Sequence, residues 1–398
     1  MKFTYLPWEM ETEILLRVPA TSLKQLGFTC KRWYALSKDP SFIKKRLGVK
    51  AATQMVLKKY NSVYSFSIDL HGIHNRYDQF IKFTGKLESL KDPEGVEISE
   101  IFQCEGLLLC TTKDKGLVVW NPCTGQTMWM KSSRRHETFF LGYKNNNEYS
   151  FDSYKIMSIS FNFGGRKDPV RKLETYEFNS DSWRVLGDFT HDRYIISLGV
   201  SLKGDTYWLN LSLDEEDPDL VTSILVYDFT SEIFGRLRLP FRADRYDYNQ
   251  ESSFLSVVRE EKLAVLRHRG RSLEMKIWVT NTITDEAKCD LSWSVFLVVD
   301  LGKLMIDDMK EVRGFLVDEE NKRVMCCFLD EDTRTIIYIF GEDMHKQVYR
   351  EIFREIYREV KQRRHYLVPY DSPLLFSYVP SLVRIPARQS NPGGKRKR

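Results

Sequence analysis

Residues 3–47 read FTYLPWEMETEILLRVPATSLKQLGFTCKRWYALSKDPSFIKKRL and divide into four short helical segments. Pro7 suits the first helical position, where its missing N–H would be unpaired in any case. Glu9, Glu11 and Glu13 follow, and carboxylates there favour the positive end of the helix dipole. Met10, Ile14 and Val18 are spaced by four with Leu15 beside them, which gives an apolar face. Pro19 ends this helix, because the residue before a proline is pushed out of the α region. Thr21 or Ser22 can cap a second helix bearing Leu23 and Leu26. Residues 29–37 predict a third, with Cys30, Trp33 and Leu36 on one side. Asp39-Pro40, an N-cap followed by a proline, starts a fourth that carries Phe42, Ile43 and Leu47. Helices this short are marginal alone, since nucleation is costly, so they must pack on each other or on a partner.

From about residue 55 the pattern changes to β-branched and aromatic runs with period-two alternation. Six aromatics, Tyr64, Trp120, Tyr176, Tyr227, Trp278 and Tyr338, sit in such runs at intervals of 51 to 60 residues. A strand-like run precedes each of the later five, and turn residues followed by a further strand succeed several of them, with Trp129, Trp183, Phe234 and Trp293 in the last position. A repeat of about 50 residues built from short antiparallel strands is the size of a kelch-type propeller blade. The sequence therefore predicts a small all-α head joined to a large all-β domain, a kelch-like β-propeller. A β-sandwich, or two small barrels with coincidental spacing, is the alternative. One segment breaks the pattern. Residues 343–364 read as an amphipathic helical insertion near the C-terminus, with Val348, Ile352, Ile356 and Val360 in a row. It either packs on the body or binds a partner in a groove.

Charge is unevenly placed. Residues 1–49 hold nine basic and four acidic residues, and the last eleven hold five basic residues and no acidic ones. Since the whole chain is +5, the stretch between is acidic. That distribution argues against a nucleic-acid partner. No run of about 18 apolar residues is present, so no membrane helix is expected, and the N-terminus lacks the charged and apolar regions of a secretory signal. The seven cysteines include no C-x-x-C pair and lie mostly in apolar runs, as buried reduced thiols do. These features point to the nucleus or cytoplasm. The tail Lys395-Arg396-Lys397-Arg398, after Asn391-Pro392-Gly393-Gly394, is either a nuclear localisation signal or a solubilising end.

The head resembles an F-box. Leu6-Pro7, Glu13-Ile14-Leu15, Val18-Pro19, Leu23, Cys30-Lys31, Trp33, Leu36 and Asp39 carry the resemblance in order and register. It implies docking to a Skp-type linker, and through it to cullin and RING subunits of a ubiquitin ligase. By position, Leu6, Pro7, Ile14, Leu15, Val18, Pro19, Leu23, Cys30 and Trp33 would form or support the docking surface. Trp8, Met10 and Phe28 depart from the usual residue types. The body resembles the plant F-box-associated (type 1) domain, through Cys104-Glu105-Gly106, Val119-Trp120-Asn121-Pro122, Leu141-Gly142-Tyr143, Ile339-Phe340-Gly341-Glu342 and Phe376-Ser377-Tyr378-Val379-Pro380 among others. The implied organisation is an F-box over 1–49, an F-box-associated domain over 50–387 and a basic disordered tail over 388–398.

No phosphate loop, dinucleotide fingerprint, nucleophile elbow or zinc-protease motif occurs. Only His71 and His74 are close among seven histidines, so neither a metal nor a cofactor is expected. Residues 214–219, DEEDPD, form either a solvated loop tip or an attractor for a basic target segment. The leading functional expectation is a non-catalytic adaptor that docks a linker at one end and recruits an unknown target protein at the other. The alternatives are an enzyme on a propeller scaffold, or a glycan- or ligand-binding propeller without a ligase role that uses aromatics such as Trp129 and Trp208.

Overall fold

The computed structural model describes residues 6–18, 20–39, 41–43, 45, 54–59, 62–68, 81–86, 96–114, 116–131, 137–144, 153–162, 170–189, 193–195, 198–212, 222–242, 251–269, 273–284, 291–304, 311–330, 332, 334–342, 344–351 and 373–385. The head contains α1 (Trp8–Arg17), α2 (Ala20–Gly27) and α3 (Lys31–Leu36), followed by a helical turn at 41–43. Its starts differ by a residue or so from expectation. Pro7 occupies the N-cap position of α1, with its carbonyl accepting from Glu11 N–H at 3.1 Å. Thr21 and Ser22 lie inside α2, which begins at Ala20. Asp39 does cap the fourth segment: its Oδ1 accepts from Phe42 N–H at 3.0 Å. The hydrogen bonds from Ser41 and from the Phe42 amide hold the Asp39 carboxyl below the usual carboxylate range.

Among the described residues the strands form six antiparallel sheets, the blades of a propeller. The second blade runs β4 (Ile98–Cys104), β5 (Leu107–Thr112), β6 (Gly116–Asn121) and β7 (Gln126–Lys131). The third runs β8 (Glu137–Tyr143), β9 (Tyr154–Asn162), β10 (Val170–Glu177) and β11 (Ser182–Phe189). In the fourth, β12 (Arg193–Ile195) and β13 (Val200–Leu202) both pair with β14 (Asp205–Ser212), which leads to β15 (Thr222–Asp228) and β16 (Ile233–Arg238). The fifth is β17 (Glu251–Val258), β18 (Lys262–Arg269), β19 (Glu274–Thr280) and β20 (Trp293–Asp300). The sixth is β21 (Glu311–Asp318), β22 (Arg323–Leu329), β23 (Thr335–Gly341) and β24 (His345–Arg350).

The first blade closes the ring with both ends of the domain. Its order is β25 (Leu374–Tyr378), then β1 (Gln54–Lys59), β2 (Ser62–Ile68) and β3 (Ile81–Lys86). Closure of this kind leaves no long unpaired inner edge. The first strands of the blades meet around the axis: β4 packs on β8 and β13, β13 on β17, β17 on β21, and β21 on β25.

The six repeating aromatics all fall on the third strand of their blade. Four of them are buried: Trp120, Tyr176, Tyr227 and Trp278. In three blades the cross-strand partner on the fourth strand is seven residues on: Thr127, Trp183 and Phe234. A tight turn fixes that interval. In two of these turns an Asx acceptor closes it, Asn121 Oδ1 taking Cys123 N–H at 2.9 Å and Asp228 Oδ1 taking Thr230 N–H at 2.7 Å. Between the third and fourth blades the buried Lys155 ammonium pairs with Glu232 and with Glu177 at 3.2 Å, while Arg184 reaches Glu232 at 2.8 Å.

The predicted helical insertion is corrected over its first part. Residues 345–350 are β24, paired antiparallel with β23 from Phe340↔His345 to Ile336↔Arg350. Val348 points inward at 3% exposure while His345 and Gln347 are exposed, an alternation that a helix does not produce. The backbone groups of β23 need a fourth strand, and that ladder outweighs local helix propensity. The remainder of the predicted helix, 352–364, lies outside the described residues.

Candidate functional site

The head divides its apolar residues between two faces. Leu15, Leu16, Leu23, Leu36, Phe42 and Ile43 are buried and join a core that also contains Cys123, Leu382, Val383 and Ile385 of the propeller. Val18, Leu26 and Trp33 pack against that core from its margin. The other face is open: Leu6 is 52% exposed, Met10 55%, Ile14 52% and Phe28 79%. An exposed set of large apolar side chains on so small a unit marks an interaction surface.

The predicted docking residues therefore separate. Leu6, Pro7 and Ile14 are on the surface. Leu15 and Leu23 are inside, and Val18 and Trp33 are partly buried supports. Cys30 is the half-buried N-cap of α3 in extended conformation, and Pro19 lies outside the described residues. The apolar row of α1 formed by Met10 and Ile14 faces out, and the adjacent Leu15–Leu16 pair faces in.

A polar clamp holds these helices in place. The Trp33 indole N–H donates to Glu11 Oε1, and Arg32 Nη2 lies 2.7 Å from Glu11 Oε2. The Arg32 guanidinium in turn stacks 4.6 Å from the centre of the Trp8 ring. Thus α1 and α3 are tied by one carboxylate, and Trp8 is held beside the open face. Helical spacing identified Glu11 only as a dipole-compensating acid, and nothing local to it pointed to a residue 22 positions away.

The propeller meets the head through the chain that follows β25. Arg384 lies 5.4 Å from the centre of the Tyr34 ring, which Lys38 approaches from 3.8 Å. That C-terminal strap is pinned by Asn121, whose Nδ2 donates to the Ser381 carbonyl at 3.0 Å and the Val383 carbonyl at 2.7 Å. With its Oδ1 occupied as described above, Asn121 is fully buried and has all its capacity used. Gly106 is needed beneath the strap: at φ +77, a Cβ there would lie 2.3 Å from the Val379 carbonyl oxygen. Gly142 is needed for space alone, since a Cβ would meet the Phe229 ring at 2.2 Å.

Among the described residues six cysteines are free thiols, and five of them are buried. Burial pushes Cys110 and Cys327 up to about 12, so both stay protonated at neutral pH and are poor nucleophiles. Trp208 is fully buried, with the Phe140 ring 4.7 Å away edge to face, and so is not available to stack on a glycan; Trp129 is 38% exposed. Among the described residues no group of three or more His, Cys, Asp or Glu could hold a metal ion. His71, His74, the acidic run 214–219 and Lys395–Arg398 lie outside the described residues.

Comparison with known proteins matches both parts. The model for the F-box domain covers residues 3–45, and that for the F-box associated beta propeller domain covers residues 53–385. A protein of Arabidopsis thaliana that carries an F-box/kelch-repeat name is 48% identical over 100% of both chains. An F-box/kelch-repeat protein of the same plant is 43% identical over 97% of this chain and 96% of its own length. Among solved structures, an oligogalacturonate lyase in complex with manganese is similar over 75% of this chain and 78% of its own, at 10% identity and a TM-score of 0.42, which carries nothing about chemistry.

Proposed function

The chain belongs to the F-box proteins that carry an F-box associated β-propeller domain, and from that premise we propose that it is the substrate-recognition subunit of a Skp–cullin–F-box ubiquitin ligase. The head docks the Skp-type linker, which brings the cullin and RING subunits. The propeller holds a target protein, and the chain supplies proximity and orientation to thioester chemistry carried by other subunits. The observation that carries this reading is the open apolar face of the head, Leu6, Met10 and Ile14, held in place by a clamp on Glu11. Ile14 stays out of the shared core although its neighbour Leu15 is buried in it.

Leu6, Pro7 and Ile14 make the direct contact in this reading, while Leu15, Val18, Leu23 and Trp33 hold the surface in shape. Cys30 starts the helix that carries Trp33. The F-box extends over 1–49 and the recruiting domain over 50–387. The tail directs part of the pool to the nucleus, and the rest remains cytoplasmic. Co-purification with the linker tests the assignment. The Leu6→Ala, Pro7→Ala double variant should lose the linker while keeping the melting temperature of the free chain, because both residues are exposed in the free head. Retention of the linker at wild-type level sinks the docking assignment.

A further inference from the structure

Among the described residues each of the six blades ends in an outer strand that is paired on one side only. An open edge of this kind invites pairing with another strand, and charged side chains discourage it. Five of the outer strands carry such a charge: β3 has Lys82 and Lys86, β7 Lys131, β11 Arg184, β16 Arg236 and Arg238, and β24 Lys346 and Arg350. β20 differs. It reads WSVFLVVD over 293–300, with no lysine, arginine, proline or glycine, and its single charge falls on the last residue. Two large apolar side chains lie open on it, Val295 at 53% exposure and Val298 at 50%.

A bulge arranges these two valines. Val295 stands opposite Trp278 and Leu297 opposite Ile277, so Phe296 is an extra residue in β20. Val298 stands opposite Lys276. Lys276 and Trp278 are two apart on β19 and share a face, and residues directly opposite them share it too. Val295 and Val298, three apart in sequence, therefore project on one face, while Leu297 and Val299 are buried on the other. Trp293, opposite Thr280, and Asp300, opposite Glu274, belong to the same face as the two open valines.

The order Trp293, Val295, Val298, Asp300 is its own complement. Two copies of β20 laid antiparallel about a two-fold axis, with Phe296 opposite Leu297, bring Val295 of each against Val298 of the other. Trp293 then meets Asp300 at either end. The two Asp300 carboxylates stay about 24 Å apart by strand rise, so no like charges oppose one another. A shift of two residues would set Val295 against Asp300 and break both valine pairs, which fixes the register.

We propose that β20 is a dimer interface: a second copy of this chain pairs with it edge to edge, antiparallel, in the register that sets Val295 against Val298. The four-stranded fifth blades of the two copies join into one continuous sheet. Two rings and two heads then belong to one assembly. One strand pair is a small contact, at the low end of specific interfaces, so the dimer dissociates with a constant on the order of 10 μM. The interface lies on the ring and stands whether or not the head docks a linker.

The test is sedimentation equilibrium of the full chain from about 1 to 100 μM. Wild type should pass from monomer to dimer across that range. Val295→Lys and Val298→Glu each set a charge against a valine, and each should weaken the dimer about tenfold or more. Both side chains are exposed in the single chain, so each variant should keep the wild-type melting temperature at the dilute end. Mixing the two variants in equal amounts should restore a dimer close to the wild-type constant. The mixed pair sets the introduced ammonium against the introduced carboxylate at one contact and valine against valine at the other. Neither misfolding nor a dimer through another surface is repaired by mixing in this way. Hydrogen exchange of the wild type checks the same edge without substitution: β20 amides should be several-fold better protected at the concentrated end. A chain that stays monomeric throughout, as it does if the edge receives a segment of a different protein, overturns the proposal. So does a dimer indifferent to both variants, a mixture that stays dissociated, or equal β20 protection at both concentrations.

Discussion

The helical head and the propeller use apolar residues to opposite ends. In the propeller four of the six repeating aromatics are buried, and Trp120 and Tyr227 have no exposed surface at all. In the head, Ile14 and Met10 keep more than half of theirs although Leu15 and Leu16, on the same short helix, keep almost none. The physical difference is closure. A ring of six sheets can cover each blade with its neighbours, so most of the large apolar side chains of the described blades are buried within the chain. Three short helices cannot cover two faces at once, and the face left open is available to another protein. The head is also held by few directional contacts, chiefly those on Glu11, whereas the ring is held by continuous ladders.

The largest expected effect lies in the ring. Trp120→Ala should cost about 3–5 kcal/mol, as large-to-small changes at fully buried aromatics do, and should lower the urea midpoint of the propeller. A cost below about 1 kcal/mol would show that the blades are not close-packed and would erase the contrast with the head. Next comes the strap. Asn121→Ala removes two donors to the strap carbonyls and one acceptor in its own turn, for a cost of about 3 kcal/mol from lost and unsatisfied bonds. Because β25 closes the first blade, limited proteolysis should then release the C-terminal segment ahead of any other piece. Protection equal to wild type would mean that β25 pairing alone holds the ring shut.

Within the head, a pair of variants separates the two faces. Leu15→Ala should destabilise the free chain by about 2 kcal/mol, at the low end for a leucine because a small unit can relax. Ile14→Ala should leave thermal stability within about 0.5 kcal/mol and weaken linker binding. Equal loss of stability in both variants would show that the open face is not open.

A smaller effect comes from the cavity between the first strands of the blades, which Glu100 lines with Lys58 and Arg313. The Glu100 carboxyl is raised from 4.5 to about 7 in the folded chain, so it keeps its proton when the unfolded chain has lost it. Its contribution to stability is therefore intact below 4.5 and declines as pH rises to about 7. Carboxyls held low, such as Glu232 beside Lys155 and Arg184, act in the opposite sense and lose their contribution as pH falls. The difference between wild type and Glu100→Gln isolates this group. The variant should be relatively more stable at pH 7 than at pH 5 by urea denaturation, and parallel profiles would contradict the raised carboxyl.

Much of this was legible in the chain. Second, third and fourth strands announce themselves through an apolar run, an aromatic and a turn, because each hairpin is local and its turn chemistry is specific. Asp39 is equally local, and the structure confirms its cap. First strands were not legible. Segments such as ESSFLSVV at β17 or VSL at β13 carry no fixed punctuation, since the connections between blades vary in length. Residues 345–350 were misread as helix because a spacing of four also contains a spacing of two, and only the neighbouring strand decides between them.

The sequence by itself determined that a helical head precedes a body of repeated hairpins, and that the head carries the F-box pattern, because caps, turns and periodicity act over a few residues. Tertiary structure alone decided the rest. It paired the last strand with the first, turned Asn121 from a turn residue into the anchor of the strap, and joined Glu11 to Trp33. It also brought Lys58, Glu100 and Arg313 from three blades to the wall of one cavity. Those contacts join residues from 22 to more than 200 positions apart. They exist only because the helices pack on one another and the ring closes, and no local rule of chain conformation encodes them.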